Sequence, residues 1–121
     1  MFTNMALIFK FTFEKYGDMQ AAAEIANKAV SYTHLDVYKR QVLELATGTG
    51  LIAKHIVNAA AHIEATDASA EMIAEAKRDT RSAKLHFSVQ DMFCLPYAEE
   101  SFDVVIVSNA LHIVPLSLIH I

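Results

Sequence analysis

The chain has 121 residues, of which 54% are hydrophobic, a formal net charge of −4 and a single cysteine, Cys94. This length bounds it to one small domain, and the apolar content allows a packed core and excludes a disordered chain. Lys and Arg are scattered rather than striped, which argues against nucleic acid, and a lone cysteine excludes an intrachain disulfide and suits a reducing cytoplasm.

Met1 to Phe13 lacks the basic start and small-residue cleavage site of a secretory leader. Met5 to Phe13 is apolar and aromatic, and residues 1–29 otherwise say little. Asp18 to Ala29 is alanine-rich, with Met19, Ala22, Ala23, Ala26 and Ala29 on one side, which predicts a helix packed on the domain surface. Residues 30–41, Val-Ser-Tyr-Thr-His-Leu-Asp-Val-Tyr-Lys-Arg-Gln, resemble the translation of a transposase adapter joined to its own reverse complement. Residues 116–121, Leu-Ser-Leu-Ile-His-Ile, resemble the same adapter in another frame, where a stop codon follows. Segments of that origin are set apart from fold reasoning, so Tyr32, His34, Asp36, Lys39, Arg40 and His120 carry no functional weight. Residues 1–29 then form an N-terminal helical segment that can come from another fragment, and 42–115 a partial domain.

From Val42 the pattern is orderly. Val42 to Ala46 is a first strand, running into Thr47-Gly48-Thr49-Gly50, and Leu51 to about Ala60 is the helix that follows. A strand, a tight turn and a helix start present backbone N–H groups to a nucleotide. His62 to Thr66 is a second strand ending at Asp67. Ser69 caps a second helix, with Glu71 near its positive end, Lys77 and Arg78 near its negative end, and Met72, Ile73 and Ala76 as its apolar face. Leu85, Phe87 and Val89 alternate as a third strand that stops at Asp91. Phe102 to Val107 is a nearly continuous apolar run, the mark of a strand buried on both faces. Strands alternating with helices imply an α/β fold with a parallel sheet and right-handed crossovers. The longest apolar stretch, Val104 to Ile119, contains Asn109, His112 and Pro115 and makes a poor membrane span.

Glu44, Asp67 and Asp91 each fall within or just after a strand, so a parallel sheet brings these carboxylates to one edge beside the glycine turn. Asp67 follows Gly48 by 19 residues, near the spacing at which an acid reaches a ribose hydroxyl pair. Residues 42–115 resemble the first half of a class I S-adenosylmethionine-dependent methyltransferase of the small-molecule group that includes the quinone-biosynthesis enzymes. Glu44-Leu45-Ala46-Thr47-Gly48-Thr49-Gly50 matches that family's acid-x-Gly-x-Gly-x-Gly motif, with Ala46 in place of the first glycine. Asp67-Ala68-Ser69-x-x-Met72 resembles its second motif. Asp91-Met92, Leu95-Pro96-Tyr97 and Ser101-Phe102-Asp103 resemble its third region.

The resemblance implies a Rossmann-like three-layer sandwich, here truncated after its fourth strand, and S-adenosyl-L-methionine as cofactor. It implies that Glu44, Ala46, Thr47, Gly48 and Gly50 form the cofactor turn. Asp67, followed by Ala68, would hold the ribose. Asp91 would accept from the adenine amino group while the Met92 backbone meets the ring, and Asn109 would lie near the methionine end. The partner is a small-molecule acceptor, with no nucleic acid and no membrane span. Because this chain reaches only the fourth strand, that strand is expected to be an exposed apolar edge and the chain weakly active or inactive.

Two other readings stand beside this one. Gly48-Thr49-Gly50-Leu51-Ile52-Ala53 also fits the G-x-G-x-x-A dinucleotide fingerprint of an NAD-dependent oxidoreductase, although that pattern requires neither Glu44 nor the Asp91–Asp103 block. A non-catalytic cofactor-binding module lending its fourth strand to a partner is the other. Cys94 has no basic neighbour to activate it and reads as a buried or loop thiol. His55 and His62 read as helix-surface residues without the grouping a metal needs, and His112 as structural or solvent-facing rather than a base.

Overall fold

The computed structural model describes residues 7–10, 16–31, 39–80, 82–97 and 101–107. In chain order these form β1 (Leu7–Lys10), α1 (Tyr16–Ser31), β2 (Gln41–Leu45) and α2 (Leu51–Ile56), which ends in a 3-10 turn (Val57–Ala59). There follow β3 (His62–Asp67), α3 (Ala70–Arg78), β4 (Leu85–Val89) and β5 (Val104–Val107). The five strands make one sheet in the order β1-β5-β2-β3-β4, and every pairing is parallel. The chain steps outward from β2 to β3 to β4, then returns to the other side of β2 as β5. Beside β2 the direction of winding reverses, and α/β sheets open a ligand crevice at such a point.

Alternation along the strands divides the core. Val42, Ile63, Ala65, Leu85, Phe87, Val104 and Ile106 face α1, α2 and α3 and pack with Ala22, Ala23, Ala26, Ile52, Ile56 and Ile73. Leu43, Leu45, Val105 and Val107 face the other way and pack with Phe102, against which Met92, Leu95 and Tyr97 of the β4–β5 connection also lie. Among the described residues, all three helices therefore cover one face of the sheet. All four residues of β5 are buried, as its unbroken apolar run implies. Each such Val or Ile contributes roughly 1.5–3 kcal/mol on burial.

The four strands expected from Val42 onward are present, and β1 adds a fifth. Leu7 to Lys10 runs parallel to β5 with Leu7 opposite Val104 and Lys10 opposite Val107. This corrects the expectation that the last strand is an open edge, because the backbone groups of β5 are paired on both sides. The helix expected at 18–29 runs from Tyr16 to Ser31 and buries Ala22, Ala23, Ala26 and Val30.

Two details of burial also differ from the sequence reading. Met72 is 44% exposed, because the buried side of α3 is only the Ile73–Ala76 line. Val89 is 48% exposed, at the end of β4, which is an edge strand of the sheet.

Arg40 and Gln41, which the adapter resemblance sets apart, are built into the fold. The buried Arg40 guanidinium donates to Ala59 O at 2.9 Å and Ser31 O at 3.2 Å. Its own carbonyl accepts from Ala61 N at 2.9 Å, so one residue ties the end of α1 and the exit of α2 to the start of β2. Gln41 opens β2, donating its N–H to Asp103 Oδ2 at 2.9 Å while Asp103 N donates to Gln41 O at 2.8 Å. Residues 32–38 and 116–121 lie outside the described residues.

Candidate functional site

The turn after β2 is shaped by three left-handed residues: Ala46 at φ 57°, Gly48 at φ 61° and Gly50 at φ 82°. At Gly50 a Cβ would stand 2.5 Å from Phe87 Cζ, so the turn packs on the ring with no room for a side chain. The same ring carries Lys54 Nζ 5.9 Å from its centroid. At Gly48 a Cβ would meet nothing within 4 Å, so that side of the turn is open. Ala46 holds, with a side chain, a conformation that costs a non-glycine residue roughly 1–2 kcal/mol.

Hydrogen bonds fasten the turn to the end of β3. Thr47 N donates to Thr66 O at 2.8 Å, and Thr66 Oγ1 donates to Glu44 O at 3.1 Å. Thr47 Oγ1 donates to Glu44 Oε1 at 2.5 Å. Gly48 N donates to Asp67 Oδ2 at 2.9 Å, and Ser69 N to Asp67 Oδ1 at 2.9 Å. Each Asp67 oxygen thus has one backbone donor, and an ionised carboxylate has about four acceptor sites in all. Ser69 also caps α3, its Oγ accepting from Met72 N at 3.3 Å. Past β4, Gln90 N donates to Asp67 O at 3.0 Å, which brings the next loop alongside. Asp91 Oδ1 accepts from Phe93 N at 2.9 Å and turns that loop back.

Between these three strand ends lies a cleft of about 420 Å³. Of the residues the sequence singles out, Ala46, Gly48, Asp67, Ala68, Asp91 and Met92 line it. Glu44, Thr47 and Gly50 are buried beneath or behind the turn rather than in the cleft wall. The reason is parity: Glu44 shares a face of β2 with Val42, the face that the helices cover. Asn109 lies outside the described residues, as does His112. The cleft also takes Met72, Gln90 and Phe93, which composition and spacing did not single out as cleft residues. A signal was there for Met72 and Phe93. Both are large apolar side chains close after a strand-end acid, and both remain more than 40% exposed.

The other candidates fall away from the cleft. Cys94 is an exposed thiol in the β4–β5 connection, its N–H bonded to Asp91 O at 3.0 Å. His55 is exposed on α2. His62 is not on a helix but opens β3, with Nε2 3.1 Å from Glu64 Oε1, while His86 Nδ1 lies 2.6 Å from Glu64 Oε2. Among the described residues no group of His, Cys, Asp and Glu is arranged to hold a metal, and no helix is long and apolar enough to cross a membrane. Tyr97 packs edge-on against Phe102, with ring centroids 5.1 Å apart. Burial pushes the Tyr97 hydroxyl above its ordinary value; the Ser88 hydrogen bond opposes this and the charge of Glu64 adds to it.

Comparison with known proteins agrees with this geometry. A model of the methyltransferase domain matches residues 42–120, beginning directly after the 30–41 stretch and running on into 116–120. The demethylmenaquinone methyltransferase of Thermotoga maritima is 37% identical over 76 residues, covering 61% of this chain and 32% of that protein. This chain therefore spans about a third of the length of the curated relative it matches. A candidate S-adenosylmethionine-dependent methyltransferase from Listeria monocytogenes is similar in structure, with TM-score 0.59 and 26% identity over 82% of this chain and 46% of its own. The (4+2)-cyclase SpnF is similar as well, with TM-score 0.61 and 28% identity over 71% of this chain and 33% of its own.

Proposed function

We propose that this chain, which belongs to the methyltransferase-domain family, binds S-adenosylmethionine in the cleft and is the cofactor-holding part of an enzyme that methylates a small molecule. The observation that carries the reading is the Gly48–Asp67 hydrogen bond, which sets an acid at the open side of a glycine turn. The cleft volume lies within the range of small-molecule sites. Asp67 would hold the ribose hydroxyls with acceptor sites left over from its two backbone donors. Asp91 and the Met92 backbone would meet the adenine, between the apolar walls of Met72 and Phe93. Ala46 and Gly48 would lie along the amino-acid portion. Asn109, the remaining residue carried by the family resemblance, would complete that end.

Bound S-adenosylmethionine supplies an already activated methyl group on a sulfonium. The residues of this chain then have mainly to bind and orient it, since alignment of an in-line displacement supplies much of the rate. None of the cleft residues is asked to move a proton. A base is required only if the acceptor must lose one.

For the acceptor, the name of the Thermotoga relative supports a quinone-class ring. A similar fold also carries a cyclase, so cofactor binding and methyl transfer are tested separately. We further propose that residues 30–41 and 116–121 are adapter-derived and that 42–115 carries the domain.

The test sets S-adenosylhomocysteine against NAD in a thermal-shift titration of the 121-residue chain. S-adenosylhomocysteine is expected to raise the melting temperature at saturation and NAD to leave it unchanged. The reverse result would place the chain with the dinucleotide-dependent oxidoreductases.

A further inference from the structure

Thr47 sits at the centre of the turn without lining the cleft. It is 3% exposed, and it bonds in two directions at once. Its hydroxyl donates to the fully buried Glu44 carboxylate at 2.5 Å, and its N–H donates to Thr66 O at 2.8 Å. Thr66 closes the ring by donating from Oγ1 to Glu44 O at 3.1 Å. The next residue along the turn is Gly48, whose N–H donates to Asp67 Oδ2 at 2.9 Å, and Asp67 itself follows Thr66. Glu44, Thr47 and Thr66 thus hold the two strand ends from which the cleft's glycine and its acid project.

We infer that Thr47 is a positioning residue of the cofactor cleft: its hydroxyl, anchored on buried Glu44, fixes the Gly48 N–H and through it the Asp67 carboxylate. Glu44 then serves the site from beneath, as the acceptor that holds Thr47, and does not touch the cofactor. A side chain of the same shape without the hydroxyl fills the same space and loses the anchor. The turn it releases is already strained by Ala46 at φ 57°, so the anchor has a load to oppose. This inference rests on the cofactor reading above.

Three variants separate the roles. Thr47→Val keeps the volume and removes the donor, Thr47→Ser keeps the donor and removes the methyl, and Glu44→Gln keeps an acceptor oxygen and removes the acid. In calorimetry on the 121-residue chain, T47V is expected to weaken S-adenosylhomocysteine binding about tenfold, T47S to stay within about threefold of the unaltered chain, and E44Q to lose no more than T47V. Amide hydrogen exchange at Gly48 without any ligand is expected to quicken about tenfold in T47V and to stay unchanged in T47S.

Equal affinity and equal Gly48 exchange in T47V would overturn the inference. So would a tenfold loss in E44Q with none in T47V, which would make Glu44 a direct ligand. Failure of the unaltered chain to bind S-adenosylhomocysteine would sink the cofactor reading instead, and the Gly48 exchange would still decide what Thr47 does.

Discussion

Ala46 and Gly50 occupy the same left-handed region of backbone space for opposite reasons. Ala46 has a Cβ it would do better without. Ala46→Gly is expected to raise stability by about 1 kcal/mol, the left-handed penalty less the added chain entropy of glycine, read from denaturant unfolding midpoints. Gly50 has no room for one. Gly50→Ala is expected to cost roughly 2–4 kcal/mol, because it adds both a left-handed side chain and a 2.5 Å clash with Phe87.

Tyr97 gives a pH dependence whose sign is fixed. Its hydroxyl is held above the ordinary value of about 10, so the folded chain keeps that proton more tightly than the unfolded one. The associated stability is fully present below pH 10 and is lost as pH rises through the folded value. Tyr97→Phe is expected to flatten that alkaline loss in a series of unfolding curves. An unchanged slope would show that other groups produce it.

At the scale of elements, the stretch from Val42 to Val107 is legible because its apolar residues keep strand or helix period, with Ser69 and the glycines marking the boundaries. The alternation also carries the place of Glu44, although the expectation set this carboxylate beside the turn with Asp67 and Asp91. Glu44 stands two residues from Val42 and therefore on the helix-covered face, which is why it ends beneath the turn and not in the cleft. β1 was not legible. Leu7 to Lys10 is four residues in an apolar stretch without clear alternation, and its partner β5 lies at the far end of the sequence. Only the completed sheet assigns it a place.

Because β1 covers β5, Ile8→Pro is expected to uncover an apolar edge and to raise the mass seen in light scattering above that of the unaltered chain. Unchanged mass would mean that β1 does not protect that edge. Arg40 shows the same limit from another side. Its value lies in reaching Ala59 O and Ser31 O, contacts that no local pattern announces. Arg40→Ala is expected to cost roughly 1–3 kcal/mol, mainly through the buried Ala59 carbonyl left without this donor.

For the molecule as a whole, the family match begins at Val42 and the strand ends it supplies make the cleft. This chain spans about a third of the Thermotoga relative, so the cleft and its cofactor are the part of the proposal that the residues in hand test directly. In the proposed function, the β2, β3 and β4 strand ends form an S-adenosyl cofactor site with Asp67 at its heart. The most direct test is a calorimetric titration of S-adenosylhomocysteine into the 121-residue chain and its Asp67→Ala variant. One-to-one binding by the first and at least tenfold weaker binding by the second is the predicted result. Binding of equal strength in both, or none in the unaltered chain, would contradict it.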